Sequence, residues 1–306
     1  MEEQKNLEEQ KNPLSLPFSA IFVLGIMIGA LAVYGYYNLS FPNLKSSLSS
    51  PGSANQTDNN LPTFSENVQL PVRWGDLGKQ MVDSGVINAP ELEKIYASRG
   101  GLDDNAKKLL YSSDNGNLVI NQQNSGYLLN LLWALGLGNK NPILENGPMN
   151  DKQYGGAANF ASTGGWTLAK GKAMDHYSMY NFINLTPQQQ ALVETVSKRI
   201  YRPCCDNSTY FPDCNHGMAM LGLLELMASQ GKSEAEMYKV ALIVNSYWFP
   251  DNYMTIAKFM AANGVKWEDV NAKEILGVNM SSNSGYSNIV SQTQPVQGSK
   301  KGGCGV

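Results

Sequence analysis

The chain has 306 residues, of which 42% are hydrophobic and 16% are charged, against roughly 25% charged residues in an average soluble protein. Neutral polar residues and 29 glycines replace the missing charges, so the composition indicates a folded core rather than a disordered polyelectrolyte. The net charge of −3 argues against nucleic acid as the main partner, because neutralising phosphates requires a basic surface. A chain of this length needs no structural metal for stability, so a metal site requires evidence of its own.

An uncharged apolar run at 18–37 predicts a single transmembrane helix. At about 1.5 Å rise per residue, this run is long enough to cross a hydrocarbon core of about 30 Å. A cleaved signal peptide is the alternative, with residues 30–32, Ala-Leu-Ala, as its cleavage site. Residues 1–17 contain more glutamate than lysine, whereas signal peptides begin with a positive segment, so we expect an uncleaved anchor.

Flanking charges predict the orientation of this anchor. Lys5 and Lys11 precede the span and Lys45 alone follows it closely, which places the short N-terminal tail in the cytoplasm and the bulk outside. Gly25 and Gly29 form a Gly-xxx-Gly pair that would let two such helices approach closely. Glycine is common in membrane spans, however, so we favour the interpretation that the pair has no role in dimerisation.

Composition divides the rest of the chain into three parts. The stretch 38–66 is rich in Ser, Asn and Pro and is expected to be a flexible linker. Residues 67–280 have the apolar content of a compact domain. The stretch 281–306 is polar, ends in Gly-Gly-Cys-Gly-Val, and is expected to be a flexible tail.

The segment 67–280 is predicted to be all-α: an irregular multi-helix domain with a long Gly-rich loop, tethered to the N-terminal helix. Residues typical of helix N-termini precede apolar residues at helical spacing at several points, whereas the alternation expected of strands is rare. Asn115-Gly116 indicates a turn. We expect helices beginning near Asn88, Asp103, Thr186 and Ser233, and others within 122–137, 216–229, 252–262 and 267–276.

The helix at 216–229 is the most apolar of these and is predicted to be central. Its carboxylate, Glu225, shares a narrow stripe with Gly222 and Ser229, and we expect this stripe to face solvent rather than to hold a buried catalytic group. The Gly-rich loop at 138–171 is compatible with a ligand-binding loop. We favour an irregular connection that is docked by its aromatic residues.

Most of the chemical information lies in one segment with the pattern Cys-Cys-x8-Cys-x-His. Cys204, Cys205 and Cys214 lie near His216, and we expect Cys214 and His216 at a helix N-terminus, where the helix dipole stabilises a thiolate. Three thiols and one imidazole form a ligand set of the type that zinc uses. The spacing is unusual, because adjacent cysteines do not easily both bind one tetrahedral ion.

Nearby sulfur atoms suggest copper as an alternative to zinc, since thiolates and thioethers favour Cu(I). Met218 and Met220 follow the imidazole of the segment, and His176 lies between two further methionines. The simpler expectation is that both methionines pack in the core and that His176 is an ordinary surface or core histidine. No motif indicates a nucleotide site, and Cys-x-x-Cys-His, which would indicate c-type haem, is absent from the sequence.

Two alternatives to a metal or thiol-redox site follow from the same cysteines. Outside the cytoplasm, Cys214 would pair with Cys204 or Cys205, giving a disulfide-stapled envelope protein that binds a partner without chemistry. A Cys-His hydrolase with Cys214 or Cys205 as nucleophile is also conceivable, although the sequence indicates no third residue to orient the histidine. Cys304 in the tail would reach the cluster to pass on a metal or resolve a disulfide, or would form an intermolecular link, or would have no role.

The run 201–231, which contains the Cys-Cys…Cys-x-His pattern, resembles single-pass membrane proteins of candidate-phyla bacteria that carry no assigned activity. The resemblance implies a prokaryotic envelope setting for the domain. It implies no site residues and no reaction. The partners expected for such a protein are the membrane, through 18–37, and a metal donor or another partner protein.

Overall fold

A computed structural model describes residues 67–293 of the chain. The predicted anchor at 18–37, the linker at 38–66 and Cys304 lie outside the described residues and remain predictions. Within the described part, none of the helices combines the length and apolar character needed to cross a membrane.

The described domain is mostly helical, as the capping signals predict, with one small sheet near its N-terminus. Thr186 and Ser233 form the predicted capping boxes, and the Asp103 side chain accepts a hydrogen bond from the backbone N–H of Ala106. The elements, numbered in chain order, are β1 Val68–Gly75, α1 Leu77–Ser84, α2 Ala89–Ala97, α3 Asp104–Tyr111, β2 Asn115–Ile120, α4 Ser125–Gly138, α5 Pro142–Asn146, α6 Ala161–Gly164, α7 Pro187–Ser197, α8 Asn215–Ser229, α9 Glu234–Trp248, α10 Pro250–Ala262, α11 Ala272–Ile275, α12 Val278–Ser281 and α13 Asn283–Gln292.

The sheet is the exception to the all-α prediction. β1 and β2 pair in antiparallel fashion, and alternate residues of β1, Leu70, Val72 and Trp74, are buried. Pro71 occupies an exposed position of this alternation, and proline is normally tolerated only in edge strands, which both strands of this sheet are. The turn predicted at Asn115 is wrong, because Asn115 begins β2.

The core is organised around the contact between α4 and α8, which supports the prediction that the latter is central. The two helices cross where each carries a glycine. A Cβ atom on Gly136 would lie 2.1 Å from the backbone oxygen of Met218, and one on Gly222 would lie 2.5 Å from that of Leu132. Only glycine allows backbones to approach this closely, so this crossing fixes the position of α8 and of the residues at its N-terminus.

The Gly-rich stretch 138–171 is an irregular series of short helices and turns that aromatic side chains dock onto the domain. The Trp166 ring is buried against Trp133, with ring centroids 5.0 Å apart, and its Nε1 donates to the backbone oxygen of Val86. Phe160 packs against Phe211, with ring centroids 5.3 Å apart, and so joins this stretch to the cysteine segment.

The structure also differs from the expected tail at 281–306, because α13 forms within it. The Ser282 side chain accepts a hydrogen bond from the Gly285 N–H at the start of this helix, and Ile289 is buried. The folded domain therefore extends at least to the end of α13, beyond the boundary that polar composition suggested.

Replacing Gly222 with alanine should destabilise the domain by roughly 2–3 kcal/mol, because the added methyl group would collide with the α4 backbone. Gly126, also in α4, faces open space, so Gly126→Ala should stabilise the domain by roughly 0.5–1 kcal/mol. Urea unfolding of both variants measures the difference. Equal effects of the two substitutions would contradict the close helix crossing.

Candidate metal centre

The cysteine segment connects α7 to α8 and is held by backbone hydrogen bonds rather than by a helix or strand. The N–H groups of Thr209 and Tyr210 donate to the carbonyl oxygens of Ile200 and Ser197, at 2.8 and 3.1 Å. These bonds fold the segment back onto the end of α7, so that its first and last cysteines meet.

The start of α13 clamps the segment from outside. The backbone N–H of Asn283 donates to the carbonyl oxygen of Cys205 at 3.0 Å, and the N–H of Ser284 donates to a carboxylate oxygen of Asp206 at 2.7 Å. Residues expected to be a flexible tail therefore hold the backbone of the site.

Arg202 lies at the centre of the segment with its side chain only 1% exposed. Its Nε donates to Cys214 Sγ at 2.9 Å, and its Nη2 donates to Asp213 Oδ1 at 2.6 Å. Two further bonds reach the backbone oxygens of Asn207 and Phe211, at 3.0 and 3.3 Å. Arg202 is not among the site residues that the sequence predicts. The one signal that could have found it is an arginine two residues before a cysteine pair.

Three potential ligand atoms converge beside this guanidinium group. Cys204 Sγ lies 3.5 Å from Cys214 Sγ, and these two sulfur atoms and a ring nitrogen of His216 all lie within 4.8 Å of one another. Two sulfur ligands at about 2.3 Å from one tetrahedral ion are separated by about 3.8 Å, so the observed spacing suits a shared ion. Cys205 belongs to a second set, with Asp213 and Cys214, whose ligand atoms also lie within 4.8 Å of one another.

The electrostatics favour negative charge on Cys214. Hydrogen bonds from Cys204 and Cys205, together with the positive charge of Arg202, hold the pKa of Cys214 well below its ordinary value despite its burial. Cys214 is also the N-cap residue of α8, where the helix dipole favours a thiolate.

The charge favoured on Cys214 shifts the pKa values of its neighbours Cys205 and Arg202. The hydrogen bond with Cys204 lowers the pKa of Cys205, but the bond to Cys214 and burial outweigh it and raise that pKa to about 12. Burial lowers the pKa of Arg202, but the surrounding cysteines and Asp213 outweigh burial and raise it, so the guanidinium stays charged. The surroundings therefore favour the thiolate form of Cys214, beside its cationic partner, and the neutral thiol form of Cys205.

His216 occupies the first turn of α8 and is buried. Its ring packs against Phe249, with centroids 4.3 Å apart, and against Trp248, with centroids 5.7 Å apart. These rings form an apolar wall that shields one side of the cluster from water.

The other predicted ligands lie elsewhere. Both ring nitrogens of His176 are already engaged, Nδ1 with the Tyr180 hydroxyl at 2.6 Å and Nε2 with the Lys170 carbonyl oxygen at 2.8 Å. Met218 and Met220 are fully buried in the hydrophobic core, as the simpler expectation had it. Among the described residues, neither potential metal set includes any of these three side chains.

The disulfide that the sequence offered as an alternative is not formed. Cys204, Cys205 and Cys214, the cysteines of the described region, are all free thiols or thiolates. Within residues 67–293 no covalent cross-link holds the segment, and Arg202 and α13 hold it instead.

A second buried polar cluster surrounds Glu225 on α8. Its carboxylate is fully buried and accepts hydrogen bonds from the side-chain amides of Asn139 and Asn141, at 3.0 and 2.5 Å. Backbone N–H groups of Ile183 and Ile143 donate to the oxygens of these amides and fix their orientation. The predicted solvent-facing position of Glu225 is wrong, because the groups that satisfy it are distant in sequence.

Burial raises the pKa of Glu225 well above its ordinary value, and the two amide donors offset only part of this. Because the folded protein holds the Glu225 proton more tightly than the unfolded chain does, protonation of Glu225 stabilises the fold. This stabilisation is fully present below the ordinary glutamate pKa and is lost as the pH rises through the pKa of the folded state. The free energy of unfolding of the wild type should therefore fall relative to Glu225→Gln with rising pH, by up to about 1.4 kcal/mol per pH unit.

Urea unfolding of both proteins from pH 4 to pH 8 measures this difference, since other titrating groups cancel in the comparison. Parallel stability curves across this range would show that the carboxylate titrates normally in the fold. At pH 4 the glutamine variant should be less stable than the wild type, because its new side-chain N–H group would face an N–H donor of Asn139 or Asn141 whose orientation is fixed.

A cavity of about 500 Å³ with a mixed polar and apolar lining lies between α3 and β2, away from the cysteines. Asparagine side chains and two tyrosines line it, and no cysteine or histidine does. The convergent sulfur and nitrogen atoms, and not this cavity, are therefore where the chemistry-bearing residues of the described domain meet.

Comparison of the chain with protein families, with curated proteins and with solved structures gives no match. The geometry of the Cys-His cluster, which has the composition and spacing to hold a metal ion, is thus the evidence on function.

Proposed function

We propose that this protein binds a transition-metal ion, Zn²⁺ or Cu⁺, through Cys204, Cys214 and His216. The observation that carries the proposal is the convergence of two sulfur atoms and one imidazole nitrogen within 4.8 Å. Thiolate and imidazole are the preferred ligands of both ions, whereas Mg²⁺ and Ca²⁺ require oxygen.

The charges favour this set over the neighbouring set of Cys205, Asp213 and Cys214. In the second set, the guanidinium of Arg202 already lies between Asp213 and Cys214 and supplies the positive charge. A metal ion there would meet a buried cation, whereas the first set leaves the imidazole side of Cys214 for the ion.

The ligand count supports a site that exchanges its ion or another ligand. Structural zinc sites are closed by four protein ligands, whereas sites with three leave one position for water, substrate or a donor ligand. We therefore favour a role in receiving or delivering a metal over a purely structural one.

Under reducing conditions the purified full chain should bind about one Zn²⁺ or Cu⁺ ion through this cluster. Cys204→Ser and Cys214→Ser should each lower the affinity by at least about 100-fold, because a hydroxyl group does not supply the thiolate ligand. Competition titration with a chromophoric chelator measures both affinities.

Cys205→Ser is the matched control, since it removes an adjacent half-buried thiol that lies outside the proposed ligand set. It should change the affinity by less than about tenfold. Far-UV circular dichroism of each variant separates lost ligands from lost folding. Absence of binding of either ion to the well-folded wild type would refute the proposed function.

We further propose that the domain lies outside the cytoplasm, held at the membrane by 18–37. The uncharged run of sequence and the bias of flanking lysines support this location. In the cell envelope, a site that exchanges its ion would contact the protein that donates or accepts that ion.

The full chain should remain in the membrane fraction after carbonate washing, and protease added to intact spheroplasts should release the domain by cutting within 38–66. N-terminal sequencing of the mature protein is the control. A mature N-terminus at Val33 would show that the segment is a cleaved signal peptide.

A further inference from the structure

The two sulfur ligands are also placed to react with each other. Cys204 Sγ and Cys214 Sγ lie 3.5 Å apart, and a disulfide requires about 2.05 Å, so the sulfur atoms need to approach by about 1.5 Å. The residues between the two cysteines form turns and bends rather than helix or strand. Such a segment adjusts by small rotations without breaking an element of the core.

Access for an oxidant differs between these two thiols. Cys204 is half-buried, whereas the Cys214 side chain is buried and its sulfur accepts a hydrogen bond from Arg202. A peroxide therefore reaches Cys204 first. The Cys214 sulfur lies deeper, where the positive charge of Arg202 stabilises its thiolate form.

Cys205 is less suited to form the bond. Its sulfur also hydrogen-bonds to Cys214, but it lies 3.9 Å from both the Asn207 carbonyl oxygen and Asp213 Oδ1. Its backbone is fixed on both sides, by the N–H bond to Arg202 and by the Asn283 bond from α13. The geometry thus favours Cys204 as the partner of Cys214.

We infer that the metal centre is controlled by oxidation: a peroxide converts Cys204 and Cys214 into a disulfide and thereby expels the ion. This inference rests on the proposed function for the expelled ion, while the disulfide itself stands on the sulfur geometry alone.

The steps balance with hydrogen peroxide as the oxidant. Cys204 loses its thiol proton and the thiolate attacks one peroxide oxygen; the O–O bond breaks, and the second oxygen takes up that proton and leaves as water, which gives a sulfenic acid. The Cys214 thiolate then attacks this sulfur, the S–O bond breaks, and hydroxide leaves and takes up a proton. Two thiols lose two electrons, one peroxide becomes two waters, and a dithiol reductant reverses the change.

The surroundings tolerate the oxidised form. A disulfide sulfur carries no charge, so an ion would keep His216 as its only ligand from the set and dissociate. Arg202 loses its thiolate partner but keeps Asp213 and the carbonyl oxygens of Asn207 and Phe211. The buried guanidinium is thus never left unpaired, and the domain need not unfold to release the ion.

The test uses the full chain in a Cys304→Ser background, which removes the tail thiol as a competing partner. Zinc-loaded protein is treated with hydrogen peroxide while a chromophoric chelator reports free zinc, and thiols are counted in parallel. Zinc release should accompany the loss of two thiols, and dithiothreitol should restore both the thiols and the binding. Peptide mapping should find the cross-link between Cys204 and Cys214.

Variants of the metal-free protein test the pairing independently of zinc. Cys205→Ser should form the same cross-link at nearly the wild-type rate, whereas Cys204→Ser should form a cross-link to Cys214 at least about tenfold more slowly. A cross-link through Cys205 in protein that still carries Cys204, or zinc that stays bound after both thiols are oxidised, would overturn the inference. Failure of reduced protein to bind zinc, with the cross-link still formed, would reject the proposed function alone.

Discussion

The site depends on a buried positive charge. Arg202 is almost completely removed from water, and burying a charged group costs several kcal/mol unless charged and polar partners replace the lost solvent. Cys214, Asp213 and two backbone carbonyl oxygens are those partners, so the segment must close around the guanidinium group. Gly217 makes room for it, since a Cβ there would lie 2.5 Å from Nη2. The convergence of the thiols is a consequence of this closure.

A second constraint gives the closed segment its fixed position. Gly222 brings α8 against the α4 backbone, and Glu225, three residues further on, is tied to Asn139 and Asn141 just beyond the end of α4. The helix that carries His216 on its first turn is thus fixed by close packing and by a buried hydrogen-bonded carboxylate. A helix free to slide would not keep an imidazole within a few ångströms of two sulfur atoms on a separate turn.

The sequence predicted the features that depend on neighbouring residues, such as the capping boxes at Thr186 and Ser233 and the apolar α8 helix. It also predicted that Cys214 and His216 would begin that helix. It failed where the deciding partner is distant in the chain. Glu225 has its amides in another segment, and β1 becomes a strand only through its pairing with β2. The local sequence around Arg202 shows only that it precedes a cysteine pair by two residues, because its role arises from the fold.

The arginine also bears on how the site exists without an ion. In many small metal sites the ligands repel one another until the metal binds, so binding free energy is consumed in ordering the chain. Here the guanidinium offsets the charge of Cys214, and hydrogen bonds among the thiols hold the sulfur atoms close before any ion arrives. Folding therefore carries the cost of ordering the cluster, so the proposed binding of an ion would consist mainly of proton release and ligand exchange. Such a prepared cluster would suit rapid loading and unloading more than permanent retention.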